Sequence, residues 1–178
     1  MLRAILDRLF GTRSTDGPDR GPDALVHVYS RGERFFIEAS DRTRMKDAGF
    51  WVATGHVTEL ASHATDEEIG LAVLHELRRS RVEVAVPPRE TKLDAGLFRA
   101  MGVRTRQAAM TGTRACLVTR LPETTTLRIE PLRNGGTSGD DRGYAIIEDK
   151  AIELPAKSPV GAVGEAIREA LTRAILVG

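Results

Sequence analysis

The sequence has little cysteine, few aromatic residues and almost no net charge, and each shortage excludes a class of protein. Cys116 is the only cysteine of the 178 residues, so no intrachain disulfide can form and a reducing compartment is favoured. Aromatic residues make up 4% of the chain, too few for the stacked rings that bind single-stranded nucleic acid. The formal net charge is +1, so no overall field attracts nucleic acid or a membrane. We therefore expect no nucleic-acid partner.

Long apolar runs are missing too. No stretch approaches the roughly 18 apolar residues of a membrane-spanning helix. In residues 1–10 the apolar pattern is interrupted by Asp7 and Arg8, and no small-residue cleavage site follows, so we expect no signal peptide. Together with the single cysteine, these features predict a cytoplasmic protein without stable membrane insertion.

Catalytic motifs are equally scarce. The chain lacks a phosphate-binding loop, a dinucleotide fingerprint, a nucleophile elbow and the cysteine and histidine spacing of a zinc site. His56, His63 and His75 lie near one another in sequence, but we expect them to be ordinary surface histidines. We predict no catalytic, cofactor-binding or metal-binding residue. A small metal-dependent or hydrolytic enzyme remains open as an alternative.

Residues 65–79 carry the strongest local signal in the chain, that of an amphipathic helix. Thr65 and Glu68 have the spacing of a capping box, in which each side chain bonds the other residue's backbone N–H. Acidic residues occupy the first turn and arginines the last turn, which suits the helix dipole. The apolar residues fall on one stripe, and they are Ile69, Ala72, Val73 and Leu77.

This stretch recurs 94 residues later, where residues 159–173 align with it without a gap. Gly70 meets Gly164 in this alignment, and the match extends upstream into a strand and a turn. We interpret the pattern as an internal duplication of one supersecondary unit. A glycine inside a helix costs about 1 kcal/mol relative to alanine, so its presence at matching positions predicts close approach to a neighbour.

The chain is expected to form one folded domain behind a tail. Residues 1–23 comprise an amphipathic segment and a flexible linker, and residues 24–178 form a single domain of two repeats, at about 24–88 and 114–178. Each repeat is strand, strand, strand, helix. We predict an α+β fold whose mixed or antiparallel sheet is covered on one face by two pseudo-symmetric helices. The third strand should break near Gly55, a helix ending at Gly102 should join the repeats, and residues 103–110 form a strand candidate.

Two features suggest a surface for a partner. The loop at residues 134–143, NGGTSGDDRG, combines flexible glycines with charges, and an exposed connection without function would have the same composition. Where the second helix has Glu165 and Arg168, the first has Leu71 and Leu74, which therefore need a cover from residues 1–10 or from a partner. The candidate partner-binding residues are Arg133, Asp140, Asp141, Arg142, Glu148, Asp149, Leu71 and Leu74.

The chain also resembles a known family. An aromatic strand precedes ELASHATDEEIGLAVLHELRRSR, a hairpin ends in IEPLR, and the closing helix begins PVGAVGEAIREAL. This pattern over about residues 24–174 is similar to that of the immunity proteins of bacterial contact-dependent growth inhibition (CDI) systems. The resemblance implies a protein without enzymatic activity or cofactor, which binds a toxin domain delivered by a neighbouring cell and blocks its active surface in the cytoplasm.

Such toxins are often nucleases, whose basic clefts are commonly opposed by acidic side chains of the inhibitor. The acidic residues Asp140, Asp141, Glu148 and Asp149, or alternatively those at positions 66–68, are suited to that role, although the near-neutral net charge departs from the strongly acidic pattern. We predict a toxin inhibitor that is a monomer or a weak homodimer. A scaffold protein that self-associates through Leu71 and Leu74 is a second alternative.

Overall fold

Eight strands and four α-helices make up the described part of the chain, which in this computed structural model comprises residues 22–44, 49–121 and 125–176. The predicted amphipathic segment and most of the linker lie outside these residues. A short 3₁₀ helix, Glu148–Lys150, lies between two of the strands. The elements are β1 (Ala24–Arg31), β2 (Arg34–Arg42), β3 (Trp51–Ala61), α1 (Asp66–Arg79), α2 (Ala95–Met101), α3 (Arg106–Met110), β4 (Arg114–Leu121), β5 (Thr126–Asn134), β6 (Tyr144–Ile146), β7 (Ile152–Pro155), α4 (Val160–Arg173) and β8 (Ile175–Leu176).

The strands form one open sheet in the order β3-β2-β1-β4-β5-β6, and β7 and β8 also pair with β5. All pairings are antiparallel except that of β8 with β5. The predicted α+β fold is therefore confirmed. Among the described residues, no helix is both long and apolar enough to span a bilayer.

The main core lies between one face of the sheet and the helices α1 and α4. Alternate residues of the central strands, such as Val26 and Val28 of β1, point into this core because successive side chains of a strand face opposite sides. The predicted capping box of α1 is present: the Glu68 backbone N–H donates to Thr65 Oγ1 at 3.2 Å, and the Thr65 N–H donates to Glu68 Oε2 at 2.6 Å.

Helices α1 and α4 touch through their glycines, as the matching positions predicted. A methyl group on Gly70 would clash with the carbonyl oxygen of Val160, and one on Gly164 would clash with that of Asp66. The two contacts are equivalent under the offset of 94 residues, because Gly70 corresponds to Gly164 and Asp66 to Val160. The first and last residues of the two helices correspond in the same way. The internal duplication itself stays a prediction.

The opposite face of the sheet is also covered in part, which the predicted architecture did not include. Helices α2 and α3 from the joining segment pack there against residues of β1 and β2. Gly102 ends α2 in the left-handed conformation, as predicted. The predicted strand at 103–110 is wrong, because Thr105 accepts a hydrogen bond from the Ala108 N–H and starts α3.

The edge strand β3 contains the predicted irregularity. Its register against β2 shifts between Glu38 and Ser40, and Gly55 has φ +76°. The carbonyl of Gly55 lies so close to Gly96 of α2 that a methyl group on Gly96 would clash with it. The bulge therefore fixes α2 on the sheet.

The glycine contact between the helices can be tested by adding one methyl group. We expect Gly164→Ala to lower the free energy of unfolding by about 1–3 kcal/mol, because α4 must move away from the backbone of Asp66. Gly161→Ala is the matched control, since its methyl group would meet only the mobile carboxylate of Glu67. Urea unfolding measures both variants. A Gly164→Ala variant as stable as the Gly161→Ala variant would contradict this account.

Candidate partner-binding site

The loop between β5 and β6 is held closed at its base. Asn134 is buried, and its side-chain N–H groups donate to the carbonyls of Met110 at 2.7 Å and Thr113 at 2.8 Å. Its Oδ1 accepts from the Gly136 N–H at 3.1 Å. Backbone bonds between Gly135, Gly136 and Gly143, both at 2.8 Å, close the loop. The glycine-rich stretch is therefore an ordered platform.

The charged side chains predicted to bind a partner are displayed on this platform. Arg133 Nη2 donates to Asp141 Oδ1 at 2.9 Å across the loop, and Arg142 Nη1 donates to the carbonyl of Gly139 at 3.3 Å. Asp140 lies exposed between them. An exposed ion pair contributes at most about 1 kcal/mol, so these charges can be redirected to a partner at little cost.

The remaining predicted residues are placed differently. Glu148 and Asp149 are exposed in the 3₁₀ helix that follows β6. Leu71 lies on α1 beside the β3 edge, at the other end of the sheet from the loop, and its side chain is 61% exposed. Leu74 departs from expectation, because it is partly buried and packs against the main core. The structure therefore brings the loop charges together but does not join Leu71 to them.

Sequence reasoning missed a small cavity beside the loop, under α2 and α3. Its volume is about 60 Å³. Both tyrosines of the chain, Tyr29 and Tyr144, line it with their ring centroids 5.9 Å apart. Burial raises the pKa of each tyrosine, so both hydroxyls stay protonated at neutral pH. The other lining residues are Asp94, Leu97, Phe98, Met101, Arg106, Ala109 and Met110.

Next to Tyr29 the same face of the sheet contains two more ionisable groups, the partly buried His27 and the buried Glu38. Burial lowers the pKa of His27 to about 4, and its ring stacks on Tyr29 with centroids 5.9 Å apart. Burial raises the pKa of Glu38 to about 8, although a hydrogen bond from the Gly55 backbone opposes this shift. Glu38 Oε1 has no hydrogen-bond partner among the described residues.

A third ionisable group, the buried Glu76 of α1, faces β3. Its Oε1 accepts from Thr58 Oγ1 at 2.9 Å, and the Nδ1 atoms of His75 and His56 are 3.4 Å and 3.6 Å away. Both histidines are half exposed. No cluster of three histidine, cysteine or acidic residues suited to a metal ion occurs in the described ranges.

Comparison with known proteins places the chain in a class. The family model for the CDI immunity protein, CdiI, matches residues 54–174, and the chain belongs to this family. It is an immunity protein that neutralises a CDI toxin, so the resemblance predicted from the sequence is confirmed. No protein of curated function matches it in sequence.

Two solved structures share the fold. A protein of unknown function from Neisseria meningitidis has a TM-score of 0.69 and 18% sequence identity, over 90% of this chain and 99% of the other. A chain of the CdiA-CT/CdiI toxin and immunity complex from Yersinia pseudotuberculosis has a TM-score of 0.62 and 15% identity, over 86% of this chain and 98% of the other. At these identities the similarity shows the fold alone.

The buried carboxyl of Glu38 makes a prediction about pH. A raised pKa means that the folded protein binds this proton more tightly than the unfolded chain, so its ionisation lowers stability as pH rises from about 4.5 to about 8. We therefore expect the free energy of unfolding of Glu38→Gln, taken relative to that of the original protein, to rise by about 3 kcal/mol between pH 5 and pH 8.5. The exposed Glu59→Gln is the control. Parallel stability curves for the original protein and Glu38→Gln would refute the assignment.

The role of Asn134 is also testable. Asn134→Ala removes a donor from two buried carbonyls, of which that of Met110 keeps the Thr113 N–H at 3.0 Å, and should cost about 1–2 kcal/mol of stability. It should also open the loop, so that the amides of Gly136 and Gly143 exchange with solvent at least tenfold faster. Hydrogen exchange followed by NMR measures this. Arg133→Ala, which removes only an exposed ion pair, should leave both exchange rates unchanged.

Proposed function

We propose that this immunity protein neutralises its toxin by direct binding through the β5–β6 loop, in the cytoplasm and without chemistry of its own. The observation that carries the proposal is the ordered, charged loop whose base is fixed by Asn134. A surface that is ordered before binding loses little conformational entropy on association. The Yersinia pseudotuberculosis chain with the same fold comes from a toxin and immunity complex, which supports direct binding.

The charges of this surface bear on the kind of toxin. Asp140, Asp141, Glu148 and Asp149 are exposed, with Asp141 also paired to Arg133. A local negative field speeds the encounter with a basic surface, such as the nucleic-acid cleft of a nuclease. The net charge of +1 confines this attraction to the region of the loop. We therefore propose a toxin with a basic active surface, which the bound immunity protein blocks as a monomer.

The two alternative functions, an enzyme and a self-associating scaffold, gain no support. An enzyme built on the histidines would need a site, but His56 and His75 are engaged by Glu76, and His63 is not part of that group. A scaffold that self-associates would need both leucines of α1 to be available, but Leu74 packs on the core. Leu71 alone remains exposed there.

The experiment measures binding to the toxin domain encoded beside this gene. The double variant Asp140→Asn/Asp141→Asn should lower the association rate constant about tenfold at low salt, because two negative charges of the loop are removed. The matched control is Glu165→Gln/Glu169→Gln on α4, which also removes two negative charges and one exposed arginine ion pair. Stopped-flow fluorescence measures the rates.

Each possible result of this experiment has a different meaning for the proposal. Loss of rate in the loop variant alone supports binding through the loop. Equal rates for the two double variants would contradict it. Failure of the original protein to bind the toxin domain or to restore growth on co-expression would remove the proposal of direct binding altogether.

A further inference from the structure

We infer that the cavity under α2 and α3 receives an aliphatic side chain of the toxin. The inference rests on the proposed function and specifies the anchor point of the toxin beside the loop. The cavity and the loop are direct neighbours, because Tyr144 of the cavity follows Gly143, and Asn134 at the base of the loop bonds the carbonyl of Met110 in the cavity wall. A recessed apolar pocket next to exposed charges is the usual arrangement of an interface hot spot.

The size of the cavity limits which kind of side chain can enter it. Its volume is about 60 Å³. An engineered protein cavity that binds benzene measures about 150 Å³, so this one is too small for an aromatic ring. It is large enough for the end of a leucine, isoleucine, valine or methionine side chain. The inner wall is apolar and suits such a group, with Leu97, Phe98, Met101, Ala109 and Met110 as its members.

Polar groups at the edge of the cavity are suited to bond the peptide backbone of the toxin residue whose side chain enters it. Asp94 and Arg106 are exposed, and neither forms an ion pair within the described residues. Both line the cavity together with Tyr29. Burial is the largest cause of the raised pKa of Tyr29, and the charge of Asp94 raises that pKa further while the charge of Arg106 lowers it. An acceptor and a donor at the edge can therefore bond the N–H and the carbonyl of a peptide group.

The cavity is formed before the partner arrives. Helix α2 is fixed by the contact of Gly96 with the Gly55 bulge, and the end of α3 is fixed by the two bonds from Asn134. These restraints keep the short helices from collapsing into the space between them. A preformed pocket is the kind that binds a partner side chain without a cost of reorganisation.

The test fills the cavity from within. Ala109→Leu should leave the melting temperature unchanged or raise it, and should raise the Kd for the toxin domain encoded beside this gene by at least tenfold. Ala72→Leu is the matched control, because it makes the same change at the surface depression near Leu71 and should not affect binding. Isothermal titration calorimetry gives the Kd values, and thermal unfolding gives the stability.

A second measurement does not depend on any substitution. In the original protein labelled at its methionine methyl groups, saturation with the toxin domain should shift the NMR signals of Met101 and Met110, which line the cavity. Unshifted signals would overturn the inference, and so would wild-type affinity of a folded Ala109→Leu. An original protein that binds no toxin domain would instead contradict the proposed function.

Discussion

The close crossing of α1 and α4 is the contact on which the rest of the fold depends. Gly70 and Gly164 bring each helix against the backbone of the other, and no side chain intervenes. Arg168 of α4 then reaches across, with its Nε donating to Asp66 at 2.6 Å and its Nη2 donating to the carbonyl of Ala64. Each glycine costs about 1 kcal/mol of helix propensity, but the crossing lets both apolar stripes reach the sheet together, where each large buried side chain contributes about 1.5–3 kcal/mol.

The two faces of the sheet consequently have different characters. The face under α1 and α4 carries the larger apolar core, with the buried carboxyl group of Glu76 bonded by Thr58 at its β3 edge. The other face is covered only by the short helices α2 and α3, and it contains the buried Glu38 and the partly buried His27, whose shifted pKa values mark polar groups shielded from water. Buried polar groups lower stability, and such local conflicts concentrate where function requires them. They lie beside the cavity and the bulge of β3, on the face that carries the cavity proposed for the toxin.

Several elements could be predicted because their signals are local. The ends of α1, the break at Gly55 and the end of α2 at Gly102 each depend on residues within one or two turns of chain. The predicted strand at 103–110 was wrong because its few apolar residues suit either state, and the cap at Thr105 decides for a helix. The anchoring role of Asn134 was missed because its partners, Met110 and Thr113, lie more than 20 residues away in sequence.

The sequence by itself determined the family, the α+β class, the helix caps and the composition of the charged loop, because each is written in short windows or in a repeated spacing. The tertiary structure alone decided that Leu74 is packed while Leu71 is exposed, that the loop is closed, and that Tyr29 meets Tyr144 across the cavity. The physical reason is that hydrogen bonding within a helix or turn is set by near neighbours, whereas burial, cavities and pKa shifts arise between residues that only the folded sheet brings together.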